Sequence, residues 1–403
     1  VQKLKVIAPA FEARNFRLFF GGQCISFAGT WLQIFAMSWL MFKLTHSPVW
    51  TGGAITAITM PGAILSGFAG AIVDRLGARR VMYITNALAA IPAIALGILT
   101  LMKIVTATEA IGLVLIDGFI NAFDSPARQA MINETVETTD QLKSAIPINT
   151  AMIYAAQFIG PMIGGILILK IGIGGTFFVN AASFIAVIVS LAYMDLRPHP
   201  ETHHEGLRDM LINGASYVFT HEKIGFLIGA AGLIGLCGYS FRAMLPVVAG
   251  DVLHGGPEVL SRLTAATGIG AFIGTLIVSV LRNIPLRTSI PIAVGLNGIA
   301  CFLFPVFHQS GLMLLALFAG GMGFTITNTV IRTAAQVVTE PRMRGRVMGI
   351  FIMVFFGGIG AGSFLTGILA RHIGVMPAIQ VNGIVLVICA GILATMRKII
   401  PEA

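Results

Sequence analysis

The feature that most restricts this chain is a succession of long apolar runs with almost no charge inside them. A helix rises about 1.5 Å per residue, so about 20 such residues cross a hydrocarbon core of roughly 30 Å. No water reaches backbone groups in that core, which leaves helices as the fold such runs can adopt. The runs predict about twelve spanning helices, over 18–42, 49–73, 80–102, 110–132, 144–169, 173–194, 224–248, 259–281, 289–307, 311–333, 346–370 and 375–396. Only 11% of residues are charged and mean hydropathy is +0.89. A soluble domain would carry about a quarter charged residues. The expected fold is therefore an all-α membrane protein, and the 47 glycines suit helices whose backbones approach closely.

The formal charge of +9 invites a nucleic-acid reading, but its placement argues against one. If the N-terminus is cytoplasmic, Lys43, Lys103, Lys170, Arg242, Arg262 and Arg371 fall outside, and the other twenty of the 26 basic residues fall inside. That asymmetry predicts both termini in the cytoplasm and an even helix count. Residues 1–15 lack an apolar core, so no cleavable signal peptide is expected. Cys24, Cys237, Cys301 and Cys389 each lie inside an apolar run and read as small buried hydrophobes.

The longest polar stretch, Asp195 to Lys223, holds Arg197-Pro198-His199-Pro200 and an amphipathic segment from Leu207 to Phe219. It divides the chain into a six-helix half over 1–195, a central cytoplasmic loop over 196–223, and a second six-helix half over 224–403. The connection Asp74-Arg75-Leu76-Gly77-Ala78-Arg79-Arg80 has a weak counterpart in Arg282-Asn283-Ile284-Pro285-Leu286-Arg287, which lacks the acid.

The stretch Gly70 to Arg80 resembles motif A of the major facilitator superfamily, G-x-x-x-D-R-x-G-R-[RK], with Ala78 where a basic residue is usual. Gly70 suits close helix packing, Gly77 a tight turn, and Asp74 either the cap of a neighbouring helix N-terminus or a pair with an arginine, Arg79 being the one named by the motif. Gly160-Pro161-Met162-Ile163-Gly164-Gly165 is similar to motif C, associated with antiporters, although Ala156 replaces its upstream glycine. A proline and glycines at that point predict a kink or hinge. Asn15 to Phe19, Asp124 to Gln129 and Arg344 to Met348 together resemble the drug:proton antiporter branch that includes enterobactin and macrolide exporters. The resemblance implies the major facilitator fold, efflux from a bacterial cytoplasmic membrane, and a cavity walled by the first, fourth, seventh and tenth helices.

The fourth apolar segment carries Asp117, Asn121, Asp124 and Arg128 at spacings that put them on one helix face. Counted from Glu109, Asp117 lies roughly 12 Å deep and Asp124 roughly 22 Å. Charge at such depth faces protein or a wet cavity, never lipid. Asp124 can pair with Arg128, whereas Asp117 has no cation one turn away on its own helix. A carboxyl in low dielectric is held most cheaply when neutral, which suits Asp117, and after it Asp124, to carry a proton. Further candidates for a substrate cavity are Gln23, Ser26, Thr30 and Gln33 in the first segment and Asn149, Tyr154 and Gln157 in the fifth. Tyr239 and Arg242 in the seventh and Thr325 and Asn328 in the tenth complete the set. For Arg242 the alternatives are a gate, an anionic substrate, or pairing with Asp251. The first segment has no acid, unlike many drug:proton antiporters.

These readings converge on a transporter, with proton-coupled export of a small amphipathic molecule, drug or siderophore-like, as the expected activity. An uncoupled facilitator, a lipid transporter or a non-transporting receptor are the alternatives. No nucleophile–base pair, metal-ligand spacing or Walker lysine loop points to an enzyme, a metal or a cofactor. His199, His203 and His204 read as a solvated loop. The expected partners are the substrate, protons and the lipid bilayer, with no nucleic acid, and the chain is expected to act as a monomer.

Overall fold

The computed structural model describes residues 8–196, 207–281, 285–307 and 310–396. The central-loop residues Arg197 to Pro200, His203 and His204 lie outside the described residues, as does the Arg282 to Ile284 part of the weak repeat. Thirteen α-helices follow one another among the described residues: α1 (Arg14–Thr45), α2 (Pro48–Leu76), α3 (Ala78–Leu101), α4 (Ala107–Glu134), α5 (Thr139–Ala192), α6 (Leu207–Thr220), α7 (Glu222–Gly238), α8 (Phe241–Val247), α9 (Pro257–Leu281), α10 (Leu286–Leu303), α11 (Ser310–Val338), α12 (Arg344–Ile373) and α13 (Val375–Thr395). No strand occurs among these residues. Among the described residues ten stretches are long and apolar enough to cross a membrane, and the bent pair Pro48–Leu65 with Phe68–Leu76, taken as one span, raises that to eleven.

The helices outrun the apolar runs because polar residues cap them. Thr106 starts α4: its Oγ1 accepts from the Glu109 backbone N–H at 3.3 Å, while Glu109 Oε2 accepts from the Thr106 backbone N–H at 2.9 Å. This reciprocal box satisfies two N–H groups that the first turn would otherwise leave open. Thr138 caps α5 in a similar way, accepting from Gln141 N–H at 3.2 Å.

Two of the long helical stretches are interrupted. α5 is 54 residues long and contains a break at Gly172, whose φ of +74° and ψ of 172° are non-helical. Gly172 allows this backbone because it lacks a Cβ. Pro161 lies within the helix, and Gly172 falls at the junction between the expected spans 144–169 and 173–194. The seventh expected segment is likewise not continuous, since α7 ends at Gly238 and α8 begins at Phe241. Asn297 Nδ2 donates to the Gly238 carbonyl at 3.4 Å, and Asn382 Nδ2 donates to Ser240 Oγ and Thr366 Oγ1, each at 3.0 Å. The Asn297 bond gives the Gly238 carbonyl a partner where the helical ladder stops, and the Asn382 bonds hold the Ser240 and Thr366 hydroxyls beside it.

The chain groups into two compact units, Val1–Met37 with Phe68–His204 and Ser38–Gly67 with Glu205–Ala403. In the first, α3 packs along both α4 and α5. Phe16, Phe19, Met82, Met131 and Leu191 are almost wholly buried in one core there. In the second, α9 packs on α11, α10 on α11 and α13, and α7 on α12. Residues 48–60 belong to this second unit because glycines admit α2 against α12. A Cβ at Gly52 would collide with the Ser363 carbonyl, one at Gly367 with the Pro48 carbonyl, and Thr56 Oγ1 donates to the Gly360 carbonyl at 2.7 Å.

Candidate functional site

The polar face of α4 meets two different environments in the first unit. Asp117 is 8% exposed, and Gln33 Nε2 on α1 donates to its Oδ2 at 3.2 Å. Gln33 Oε1 in turn accepts from Asn180 Nδ2 at 2.7 Å, in the 173–192 arm of α5. Ser183 Oγ donates to the Asn180 carbonyl at 2.7 Å and lies 3.1 Å from Asn180 Oδ1. Gly29 makes this approach possible, since a Cβ there would run into Ser183 Oγ and Asn180 Oδ1. Asp117 thus ends a line of neutral side chains crossing three helices.

Asp124, seven residues on, is held by a cation. Arg128 Nη1 donates to its Oδ2 at 3.1 Å, and Thr85 Oγ1 and Asn86 Nδ2 donate to its Oδ1 at 2.7 Å and 3.0 Å. The Arg128 guanidinium lies 4.4 Å from the Phe27 ring centroid on α1. Asn121 is half-buried between the two acids. Asp124 thus accepts from three donors, one of them a cation, whereas Asp117 accepts from the neutral amide of Gln33.

The remaining first-unit candidates are spread along α1 and α5. Gln23 and Ser26 are buried on α1 and Thr30 is half-buried. On α5, Asn149 and Gln157 are buried and Tyr154 is half-buried. Asn149 Oδ1 has no hydrogen-bond partner among the described residues. Of the motif C glycines, Gly160 and Gly164 press on α1: a Cβ would come within 2.6 Å of Trp31 Cβ and 2.5 Å of Phe35 Cδ1. Pro161 and Gly165 are buried beside them. In motif A, Gly77 has φ +83° and separates α2 from α3, as a tight turn requires. Arg79 Nη2 donates to the Leu191 carbonyl at 2.7 Å, and its guanidinium lies 5.9 Å from the Tyr83 ring. Asp74 is half-buried and Arg75 exposed. A Cβ at Gly70 would meet nothing within 4 Å among the described residues.

In the second unit, Arg242 lies 4.9 Å from the Tyr239 ring, which packs 5.1 Å from Phe324. Thr325 Oγ1 and Asn328 Oδ1 are buried oxygens with no hydrogen-bond partner among the described residues. Asp251 pairs with His46 Nδ1 at 3.2 Å, with side chains 44% and 66% exposed. The pair borders a pocket of about 650 Å³ lined also by Trp50, Val247 and Arg371. No group of His, Cys, Asp or Glu able to hold a metal occurs among the described residues.

Residues 6–403 match the family model of the transmembrane secretion effectors, a group of major facilitator transporters. The chain belongs to that family. Among its relatives, the staphyloferrin A transporter of Staphylococcus aureus is 26% identical over 375 residues, covering 91% of this chain and 92% of the relative. The multidrug efflux pump Tap of Mycolicibacterium fortuitum is 25% identical over 359 residues, covering 86% and 87%. A point mutant of the nucleoside transporter NupG shares the fold with a TM-score of 0.75 at 14% identity, covering 94% of this chain and 98% of that one. A POT family transporter solved with 5-aminolevulinic acid gives 0.74 at 13% identity, covering 96% and 97%. This major facilitator protein is an integral, multi-pass membrane transporter and not an enzyme.

Several polar residues of the transporter that the sequence reading passed over turn out to hold the site. Thr85 and Asn86 bond Asp124, and Asn180 and Ser183 set the Gln33 amide. A usable signal existed for the last two. Asn180 and Ser183 are polar residues three apart, on one face of a largely apolar segment.

Proposed function

We propose that this transporter exports a small amphipathic molecule by alternating access, driven by protons moving inward through Asp117. The observation that carries this reading is the contrast between the two carboxyls of α4. Asp124 is committed to Arg128, while buried Asp117 has its hydrogen bond from a neutral amide. A neutral donor leaves loading and release of a proton open, and a carboxyl differently solvated in two conformations shifts their balance when it titrates. The substrate class is supported by the efflux pump and siderophore transporter among the relatives. It is also supported by the neutral character of Gln23, Ser26, Thr30, Tyr154, Gln157 and Tyr239.

The same reading takes the chain as twelve spans in two six-helix halves with both termini cytoplasmic, acting as a monomer. The ten apolar stretches, the helix pair 48–76 and the break that divides the 54-residue α5 at Gly172 support that count. The bias of Lys and Arg supports the orientation.

The test is uphill transport in proteoliposomes under an imposed pH gradient, with ethidium and staphyloferrin A as probes. The wild-type protein concentrates at least one probe, whereas Asp117→Asn binds that probe but does not concentrate it. Equal accumulation by both proteins refutes proton coupling through Asp117.

A further inference from the structure

We infer that Asn180 is a positioning residue for Asp117, acting through Gln33: it holds the Gln33 amide so that its NH2 faces the carboxyl. The inference deepens the proposed coupling role of Asp117 and rests on it for its functional meaning.

The argument starts from what each group can donate and accept. A carboxylate only accepts, a primary amide donates at one end and accepts at the other, and a half-turn of the amide exchanges the two. Gln33 alone could present either end to Asp117. Asn180 removes that freedom, because its Nδ2 donates to Gln33 Oε1 at 2.7 Å, which turns Gln33 Nε2 onto Asp117 Oδ2 at 3.2 Å. The Asn180 amide is itself backed by Ser183, whose Oγ lies 3.1 Å from Asn180 Oδ1. Asn180 and Ser183 are 1% and 5% exposed and Gln33 is 4% exposed, so water does not compete for these bonds. The close approach is specified in sequence by Gly29, one turn before Gln33 on α1, where any Cβ would strike Ser183 and Asn180.

Among the described residues, the polar groups named around Asp117 come from four helices. From α4 itself comes Asp124, already paired with Arg128. From α1 comes Gln33, from the 173–192 arm Asn180 and Ser183, and α3 contributes Thr85 and Asn86 beside Asp124, none of them titratable. A donor held on Asp117 favours its ionised form. Asn180 therefore sets the pH at which the carboxyl loads, though it touches neither proton nor substrate.

The experiment follows the protonated-carboxyl stretch of Asp117 by infrared difference spectroscopy on the purified full-length protein, identified by its loss in Asp117→Asn. Asn180→Leu moves the midpoint of that titration up by about one pH unit, the scale of losing one enforced hydrogen bond to a charged group. Gln33→Leu moves it in the same direction by at least as much. The double variant matches Gln33→Leu alone, because Asn180 acts only through Gln33. Asn180→Ala replaces the leucine variant if the latter does not fold. The pH profile of ethidium uptake in proteoliposomes shifts in step with the infrared midpoint. An unmoved midpoint in Asn180→Leu, or additive shifts in the double variant, overturns the inference. If Asp117→Asn still concentrates ethidium, the coupling reading fails, while the infrared titration continues to decide the role of Asn180.

Discussion

Removing the charge of Asp124 exposes how its network is held. Its carboxylate faces Arg128 Nη1 at 3.1 Å, with the side chains only 15% and 18% exposed. Two unit charges about 4 Å apart at an effective dielectric near 20 attract by about 4 kcal/mol before desolvation is counted. In Asp124→Asn, Thr85 and Asn86 can still donate to an amide oxygen, but the amide NH2 then points at the guanidinium. Arg128 is left charged against the Phe27 ring, and breaking one side of such a mostly buried pair costs about 3 kcal/mol. Removing both charges, as in Asp124→Asn with Arg128→Met, leaves no orphan charge and is expected to be close to neutral. The assay is reversible unfolding in mixed detergent micelles, followed by helical signal, for wild type, both single variants and the double. Transport is expected to slow in both directions in Asp124→Asn. If the double variant is no more stable than Asp124→Asn alone, the pair is not coupled and Asp124 is not a fixed structural anion.

Two further expectations separate packing from topology. Gly160→Ala forces a Cβ to within 2.6 Å of Trp31 Cβ and 3.0 Å of the Leu32 backbone nitrogen, so it destabilises by about 1–3 kcal/mol. Gly70→Ala meets nothing within 4 Å and gains up to about 1 kcal/mol of helix propensity; the same unfolding assay reads both, and equal effects would contradict the packing described. Single cysteines at Arg79 and Arg344 label from the cytoplasmic side and one at Lys103 from the outside, and any reversal removes the assigned orientation.

The helices were legible in the sequence because a spanning segment carries its own signature, a long run without charge. Their ends were less so, since Thr106 and Thr138 lie beyond the apolar residues and act through a cap. The break between α7 and α8 was hidden because Tyr239 and Ser240 interrupt the helix without a proline or charge, and their supports, Asn297 and Asn382, come from distant segments. The same limit governed the site. The Asp124–Arg128 pair is readable from i,i+4 spacing, but Asn180 is 147 residues from Gln33, and His46 is 205 residues from the Asp251 it meets. Pairings of that kind are fixed by how helices pack, which single-chain periodicity does not encode. The Asp251–His46 pair is one of these.

The central claim, that Asp117 couples protons to substrate, is tested most directly by running the cycle backwards. Proteoliposomes are prepared with no pH gradient and a steep ethidium gradient, and luminal pH is recorded with a trapped fluorescent indicator. Coupling predicts that wild-type protein drives protons opposite to ethidium and that Asp117→Asn passes ethidium without moving protons. Proton movement in Asp117→Asn at the wild-type rate would contradict it.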